Sequence, residues 1–223
     1  LNKARGSRRQ VLLTLAVLGL LLVSARFTLA VLSTDTYDRG EEKVREAVAM
    51  AVTGGLDLPI ENIFYHTYEG GGFVQALVTI PSIALVGPTF LAHKMTAIGC
   101  DILVLLAGCL LARRAFGFRA MVLFGLLHIL APITFQKLGL LNLGIHYHAL
   151  FFQFAVAGLT LRLLQEKARV EAPWRGTAFA LGVLGGFGFF YNYQIAPLIG
   201  LAGLTLLFRR TLTLKGWGHL IGG

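Results

Sequence analysis

Charged residues are scarce in this chain of 223 residues, of which Asp, Glu, Lys and Arg together make up only 14%. Hydrophobic residues make up 56%, and the mean hydropathy is +0.71. A soluble domain cannot hide that much apolar surface, so the composition excludes the soluble classes and predicts a polytopic membrane protein. The expected fold class is therefore all-α, a transmembrane helical bundle.

Cysteine is nearly absent as well. Cys100 and Cys109 lie in one apolar run, and nine residues along a helix separate them by about 13 Å, which is too far for a disulfide. The formal charge of +9 suggests a nucleic-acid partner at first sight. The basic residues, however, stand in short clusters at the ends of apolar runs, where the positive-inside rule explains them, so no nucleic-acid partner is expected.

Acidic residues are rare outside one stretch of the sequence. Eight of the eleven lie in residues 35–69, shortly after the first apolar run. We expect residues 33–88 to form a long first outer loop and this loop to hold the chemistry of the protein. The eight are Asp35, Asp38, Glu41, Glu42, Glu46, Asp57, Glu61 and Glu69.

Seven apolar runs divide the chain, and the charges between them predict which ones cross a membrane. The run Phe73–Val86 has 14 residues and contains Pro81, so it is short for a span. If it does not cross, every basic cluster becomes cytoplasmic, which gives six crossings, an interfacial helix and a cytoplasmic N-terminus. A cleaved signal peptide is the alternative for the first run. The other runs are Val11–Leu32, Phe90–Leu111, Ala120–Phe135, Ala149–Leu164, Thr177–Tyr191 and Ile195–Phe208. Residues 1–223 are expected to form a single transmembrane module, the N-terminal part of a longer chain.

The first outer loop contains a predicted amphipathic helix over Arg39–Thr53. Its valines recur every four residues, and the pair Gly54 and Gly55 is expected to end it. Such a helix lies along a membrane surface, with its acids on a solvated face. The valines are Val44, Val48 and Val52, and the acids are Glu41, Glu42 and Glu46.

Several segments occur in an order that resembles a known family. A basic N-terminus, one span and an Asp-containing turn precede residues 65–73 (Tyr-His-Thr-Tyr-Glu-Gly-Gly-Gly-Phe), 86–94 (Val-Gly-Pro-Thr-Phe-Leu-Ala-His-Lys) and 113–117 (Arg-Arg-Ala-Phe-Gly). Most of the chain is similar to the N-terminal module of GT-C-type integral membrane glycosyltransferases, which include dolichyl-phosphate-mannose protein mannosyltransferases and aminoarabinose transferases. The resemblance implies an enzyme that moves a sugar from a polyprenyl-phosphate donor to an unidentified acceptor at the outer face of a bacterial inner membrane.

The resemblance also implies which residues act. The family's catalytic carboxylate lies in the first outer loop, which makes Asp38, and after it Asp35, the candidate general base. The family's usual Asp-Glu pair is replaced here by Asp38-Arg39-Gly40-Glu41. Cations near the outer boundary are expected to stabilise the phosphate charge. The candidate substrate-binding residues are Glu69, Lys94, His66, Arg26, His146 and His148, with Lys137 as a further cation.

Other roles for these residues stay open. Asp35 and Asp38 also suit a helix N-cap, and Lys94 also suits a snorkelling position or a polar seam with Asp101. Two histidines two residues apart make an incomplete metal site, so no metal ligand is assigned, and a divalent metal remains an open cofactor. The alternative functions are a transporter or flippase-like carrier and a non-catalytic membrane subunit. His128 is expected to form an interhelical hydrogen bond.

Overall fold

The computed structural model describes residues 6–33, 40–55, 57, 70–144, 146–166 and 174–208. Within these ranges the chain is helical and contains no strand, which confirms the all-α expectation for them. A short 3-10 turn, Tyr193–Ile195, joins the last two helices. The helices are α1 (Arg8–Leu32), α2 (Gly40–Val52), α3 (Gly70–Val86), α4 (Phe90–Phe116), α5 (Phe118–Ile129), α6 (Ile133–Gly139), α7 (Leu150–Glu166), α8 (Trp174–Tyr191) and α9 (Ala196–Phe208).

Two long apolar helices indicate a membrane protein. α1 and α4, with 25 and 27 residues, are long and apolar enough to cross a membrane. α5 and α6 add a third candidate if they form one span, but a bend of 91° separates them. α3, α7, α8 and α9 are apolar and shorter. α3 contains the run that is predicted not to cross, and Pro81 lies inside it.

Local sequence sets the ends of the two long helices. Ser7 caps α1, because its hydroxyl accepts from the N–H of Gln10 at 3.2 Å and its own N–H donates to the Gln10 side chain at 2.7 Å. Thr89 caps α4 by accepting from the N–H of Ala92 at 3.4 Å. Gly117 ends α4 with a φ of 103°, which favours glycine, and α5 starts at the next residue.

Contacts between helices show which segments meet at each of the two ends of the bundle. At one end Ala30, Ile98 and Leu140 pack together, so the C-terminal part of α1, the N-terminal part of α4 and the connection after α6 meet. At the other end Gly6 lies against the ring of Phe118, so the start of α1 adjoins the turn between α4 and α5. We call the first of these the polar end. It comprises residues 26–33, 40–55, 70–82, 90–101, 128–129, 136–144, 146–149 and 191–195.

Glycine at the start of α3 lets three segments of the polar end meet. A Cβ atom on Gly71 would lie 2.0 Å from the carbonyl oxygen of Gly144 and 2.5 Å from that of Tyr191. Gly144 itself has a φ of 69°. Because no side chain fits at such distances, α3, the connection after α6 and the end of α8 pack backbone to backbone.

α2 agrees with the predicted helix in position but not in orientation. Gly54 follows it with a φ of 77°, as the glycine pair predicts. Glu42 is only 1% exposed and Arg45 8%, whereas two of the valines are exposed. The predicted solvated face is therefore wrong for Glu42, because this side of α2 packs against the bundle and finds polar partners there. The exposed valines are Val44 and Val52.

Candidate functional site

Four polar side chains, which we call the Asp101 cluster, are buried together between α1, α4, α5 and the connection after α6. Oδ2 of Asp101 accepts from Nε of Arg26 at 2.9 Å, and Oδ1 accepts from the hydroxyl of Tyr147 at 2.7 Å. Nε2 of His128 lies 2.8 Å from the same Oδ1, which confirms the expected interhelical hydrogen bond. A buried ion pair is stable only when both charged groups are also hydrogen-bonded, and Asp101 and Arg26 meet this condition. Burial and the charge of Asp101 raise the pKa of Tyr147 well above its usual value, so its hydroxyl remains a donor.

Arg26 also holds the break between α5 and α6. Its guanidinium donates to the carbonyl oxygens of His128 at 3.2 Å and Ile129 at 3.4 Å, and to Oε1 of Gln136 at 2.8 Å. Those carbonyls end α5, and a cation is favoured at a helix C-terminus. Arg26 is a phosphate-ligand candidate from its sequence, but its fully buried guanidinium is directed at protein acceptors. The structure therefore gives it a role in the scaffold.

Lys94 is the second fully buried cation of the polar end. Its Nζ donates to Oε1 of Glu42 and, at 2.9 Å, to the carbonyl of Leu140. The same Oε1 accepts from the backbone N–H of Asn142 at 2.9 Å. Nζ also lies 4.8 Å from the centre of the Phe90 ring. Lys94 therefore does not snorkel outward; it fastens α2 and the connection after α6 to α4. It is not paired with the Asp101 carboxylate, which Arg26 neutralises.

A third set of contacts, which we call the Tyr191–Glu46 chain, links five side chains on α8, α3, the connection after α6, α4 and α2. The Tyr191 hydroxyl donates to Oε1 of Gln75 at 3.0 Å, and Nε2 of Gln75 donates to Oδ1 of Asn142. Nδ2 of Asn142 lies 3.0 Å from Nδ1 of His93, whose Nε2 lies 2.9 Å from Oε2 of Glu46. Four members are buried, and the side chain of Glu46 is 26% exposed.

His146 and His148 occupy different environments. His146 is exposed and has a φ of 57°. His148 is 3% exposed, and neither ring nitrogen has a hydrogen-bond partner within the described ranges. Burial lowers the pKa of His148 to about 4, while the charge of Asp101 and the backbone of Gly139 act in the opposite direction. The two histidines therefore do not share a site, and the part of the chain that the structure describes holds no group of three or more metal-ligating His, Cys, Asp or Glu side chains.

The buried ring of His148 predicts a pH dependence of stability. An unfolded histidine has a pKa of about 6.5, so the unfolded chain binds a proton before the folded chain does. The contribution of neutral His148 is complete above pH 6.5 and is lost as the pH falls from 6.5 to 4. Over that range we expect His148→Leu to reduce the slope of unfolding free energy against pH by about 1.4 kcal/mol per pH unit, measured by denaturant titration in detergent. An unchanged slope in His148→Leu would contradict the prediction.

Four predicted site residues lie outside the described residues: Asp35, Asp38, His66 and Glu69. The described residues that precede and follow these four in the sequence belong to the polar end. α1 ends there, α2 is fastened there through Glu42, and α3 begins there at its glycines.

Sequence reasoning assigns no role to Gln75, Asn142 or His93, although these residues connect five segments of the polar end. The sequence position of Gln75 does indicate a role, because an amide inside an apolar run must find a hydrogen-bond partner within the bundle. Asn142 carried no such signal, since it lies in a connection where a polar residue is ordinary.

The chain matches no protein-family model, no curated protein and no solved structure. The polar end, with its carboxylates, buried cations and converging segments, is therefore the basis for inferring a function.

Proposed function

We propose that this chain is a membrane glycosyltransferase that moves a sugar from a polyprenyl-phosphate donor to an acceptor hydroxyl at the polar end of the bundle. The observation that supports this most directly is the convergence there of the first loop, the connection after α6 and the end of α8. Glu42 meets Lys94, and Gly71 meets both Gly144 and Tyr191. A polar site at one end of an apolar bundle suits a substrate with a lipid tail and a polar head. The order of segments that resembles GT-C-type enzymes supports the same function.

The reaction breaks the bond between the anomeric carbon and a phosphate oxygen, and the acceptor oxygen forms the new bond to that carbon. Asp38 or Asp35 accepts the proton of the acceptor hydroxyl, and the lipid phosphate leaves with the electron pair. The leaving phosphate needs a cation. Lys137 is partly exposed on α6 and suits this role better than the fully buried Lys94 and Arg26. The remaining candidates for substrate contacts are Glu69, His66 and the exposed His146.

The experiment that tests the function is transfer of labelled sugar from polyprenyl-phosphate donors carrying mannose or aminoarabinose, in membranes containing the full chain. We expect Asp38→Asn to lower the transfer rate about 100-fold or more, because a positioned base contributes at least that factor. Glu41→Gln, on the exposed side of α2, is the matched control and should transfer at the wild-type rate. Wild-type transfer by both Asp38→Asn and Asp35→Asn would exclude a first-loop aspartate as the base.

We further propose six crossings of a bacterial inner membrane with a cytoplasmic N-terminus. The crossings are α1, α4, the α5–α6 pair, α7, α8 and α9, while α3 stays on the side of the polar end. Single cysteines at Glu41, Phe116 and His146 test this in intact cells, with Cys100 and Cys109 replaced. We expect an impermeant maleimide to label positions 41 and 146 but not 116. Labelling at 116 would overturn the topology.

A carrier is the second candidate, and the Asp101 cluster is the observation in its favour, because ionisable groups within a membrane bundle often mark a transport path. The contacts of the cluster favour the enzyme, since Asp101, Arg26 and His128 are paired with one another. Uptake of polyprenyl-phosphate sugar into sealed vesicles without transfer to any acceptor would favour the carrier instead.

A further inference from the structure

The Tyr191–Glu46 chain runs in one direction. The Tyr191 hydroxyl donates to Gln75, and the amide nitrogen of Gln75 donates to the amide oxygen of Asn142. This leaves the amide nitrogen of Asn142 as the donor to Nδ1 of His93. In each hydrogen bond the residue nearer to Tyr191 is the donor and the residue nearer to Glu46 is the acceptor. The final acceptor is the carboxylate of Glu46.

Thr79 fixes that direction. The Thr79 hydroxyl donates to the backbone carbonyl of Gln75 at 2.7 Å. The Thr79 oxygen is therefore left to accept from Nδ2 of Asn142 at 2.9 Å. With the Asn142 amide turned round, its oxygen would face the Thr79 oxygen and its nitrogen would face the nitrogen of Gln75. The network therefore assigns the His93 tautomer: Nδ1 accepts, and Nε2 carries the proton and donates to Glu46.

The chain orients Glu46 as a hydrogen-bond acceptor. Hydrogen bonds aligned head to tail polarise one another, and here the alignment ends on a carboxylate. Gln75, Asn142, His93 and Tyr191 are each at most 4% exposed, so Glu46 is the one member of this chain that a ligand reaches. A carboxylate fixed in advance loses little conformational freedom when it binds a donor.

We propose that Glu46 binds a hydroxyl group of the sugar carried by the lipid donor. The identity of the ligand as a sugar rests on the proposed function, whereas the acceptor chemistry rests on the Tyr191–Glu46 chain. A carboxylate repels the phosphate and attracts hydroxyl donors, so Glu46 suits the sugar rather than the lipid phosphate. This gives α2 a substrate-binding role separate from the general base that precedes it in the sequence.

The test uses the full chain in nanodiscs and the variant Glu46→Gln. Glutamine keeps the size of the side chain and an oxygen for His93, but it removes the charge. Glu41→Gln is the matched control on the exposed side of the same helix. Three probes are compared: polyprenyl-phosphate mannose, sugar-free polyprenyl phosphate, and methyl mannoside, which has hydroxyl groups but no phosphate or lipid.

We expect Glu46→Gln to weaken binding of polyprenyl-phosphate mannose about tenfold or more, since the amide oxygen stays with His93 and the sugar hydroxyl has no charged acceptor left. Binding of sugar-free polyprenyl phosphate should stay at the wild-type value. Equal loss for both lipids, or no loss for either, would overturn the proposal. If Glu46→Gln does not fold, Glu46→Asp replaces it, because the shorter side chain keeps the charge but withdraws the acceptor from His93.

Binding of methyl mannoside distinguishes a failure of the hydroxyl site at Glu46 from a failure of the proposed glycosyltransferase function. In wild-type protein it should shift a carboxylate band in the infrared difference spectrum, and the shift should vanish in Glu46→Gln but persist in Glu41→Gln. If that shift occurs while neither lipid binds, the hydroxyl site stands and the proposed function falls. If the mannosyl lipid binds equally to wild type and Glu46→Gln, the function stands and the hydroxyl site falls. If no probe binds, both fall.

Discussion

Replacing Arg26 with alanine is expected to lower the free energy of unfolding by about 3–5 kcal/mol, because it leaves a buried charge without its partner. Asp101 is fully buried and would keep only the hydrogen bonds from Tyr147 and His128. The carbonyls at the end of α5 would also lose this donor, so the 91° bend between α5 and α6 would lose part of its support. Unfolding in detergent, followed by circular dichroism, measures the loss.

Two variants separate the ion pair from the loss of side-chain volume. Thr28→Ala, exposed on the same helix, should unfold like the wild type. The double variant Arg26→Met with Asp101→Asn should be less destabilised than the sum of its single changes, because it removes both charges. If Arg26→Ala unfolds at the wild-type midpoint, the cluster does not hold α1, α4 and α5 together.

The second large effect is expected at Lys94. Changing Lys94 to alanine leaves Glu42, 1% exposed, without its buried cation, which costs about 3–5 kcal/mol by the same reasoning. The loss should loosen α2 on α4, because the Glu42–Lys94 pair is one of the contacts that join them, together with Glu46 and His93. Trypsin cleavage within α2 should therefore become much faster in membranes, and this cleavage is the measurement.

Control variants test whether loss of the Lys94–Glu42 pair causes the faster cleavage. Lys43→Ala removes an exposed cation from α2 and should leave tryptic cleavage at Arg45 at the wild-type rate. The neutral pair Lys94→Met with Glu42→Gln should restore part of the protection. Equal protection of α2 in Lys94→Ala and wild type would contradict the structural role of this pair.

Hydropathy and turn chemistry were sufficient to predict much of the fold. The long run after the basic N-terminus became α1, and the glycine pair after Val52 ended α2 where expected. The short run with Pro81 became a helix of 17 residues, below the length of the candidate spans. These features depend on neighbours in the sequence, and local patterns report them well. The number of crossings stays a prediction.

The candidate site was harder to predict because its partners are far apart in the chain. Glu42 looked solvated since α2 alone offers it no partner, yet it pairs with Lys94, 52 positions away. Arg26 looked like a ligand for an anion, but its anion is Asp101, 75 positions away. A period of 3.6 residues reveals which residues share a face of one helix, but it does not reveal which helix that face meets.

The pairing of Arg26 with Asp101 has a consequence for how the chain enters the membrane. Each charge alone makes its helix costlier to insert into a membrane, and the two lie on different helices, α1 and α4. During synthesis α1 emerges first, with its arginine still unpaired and the whole acidic loop yet to follow. The ion pair therefore forms only after α4 has been made, so the two long helices reach their final arrangement together.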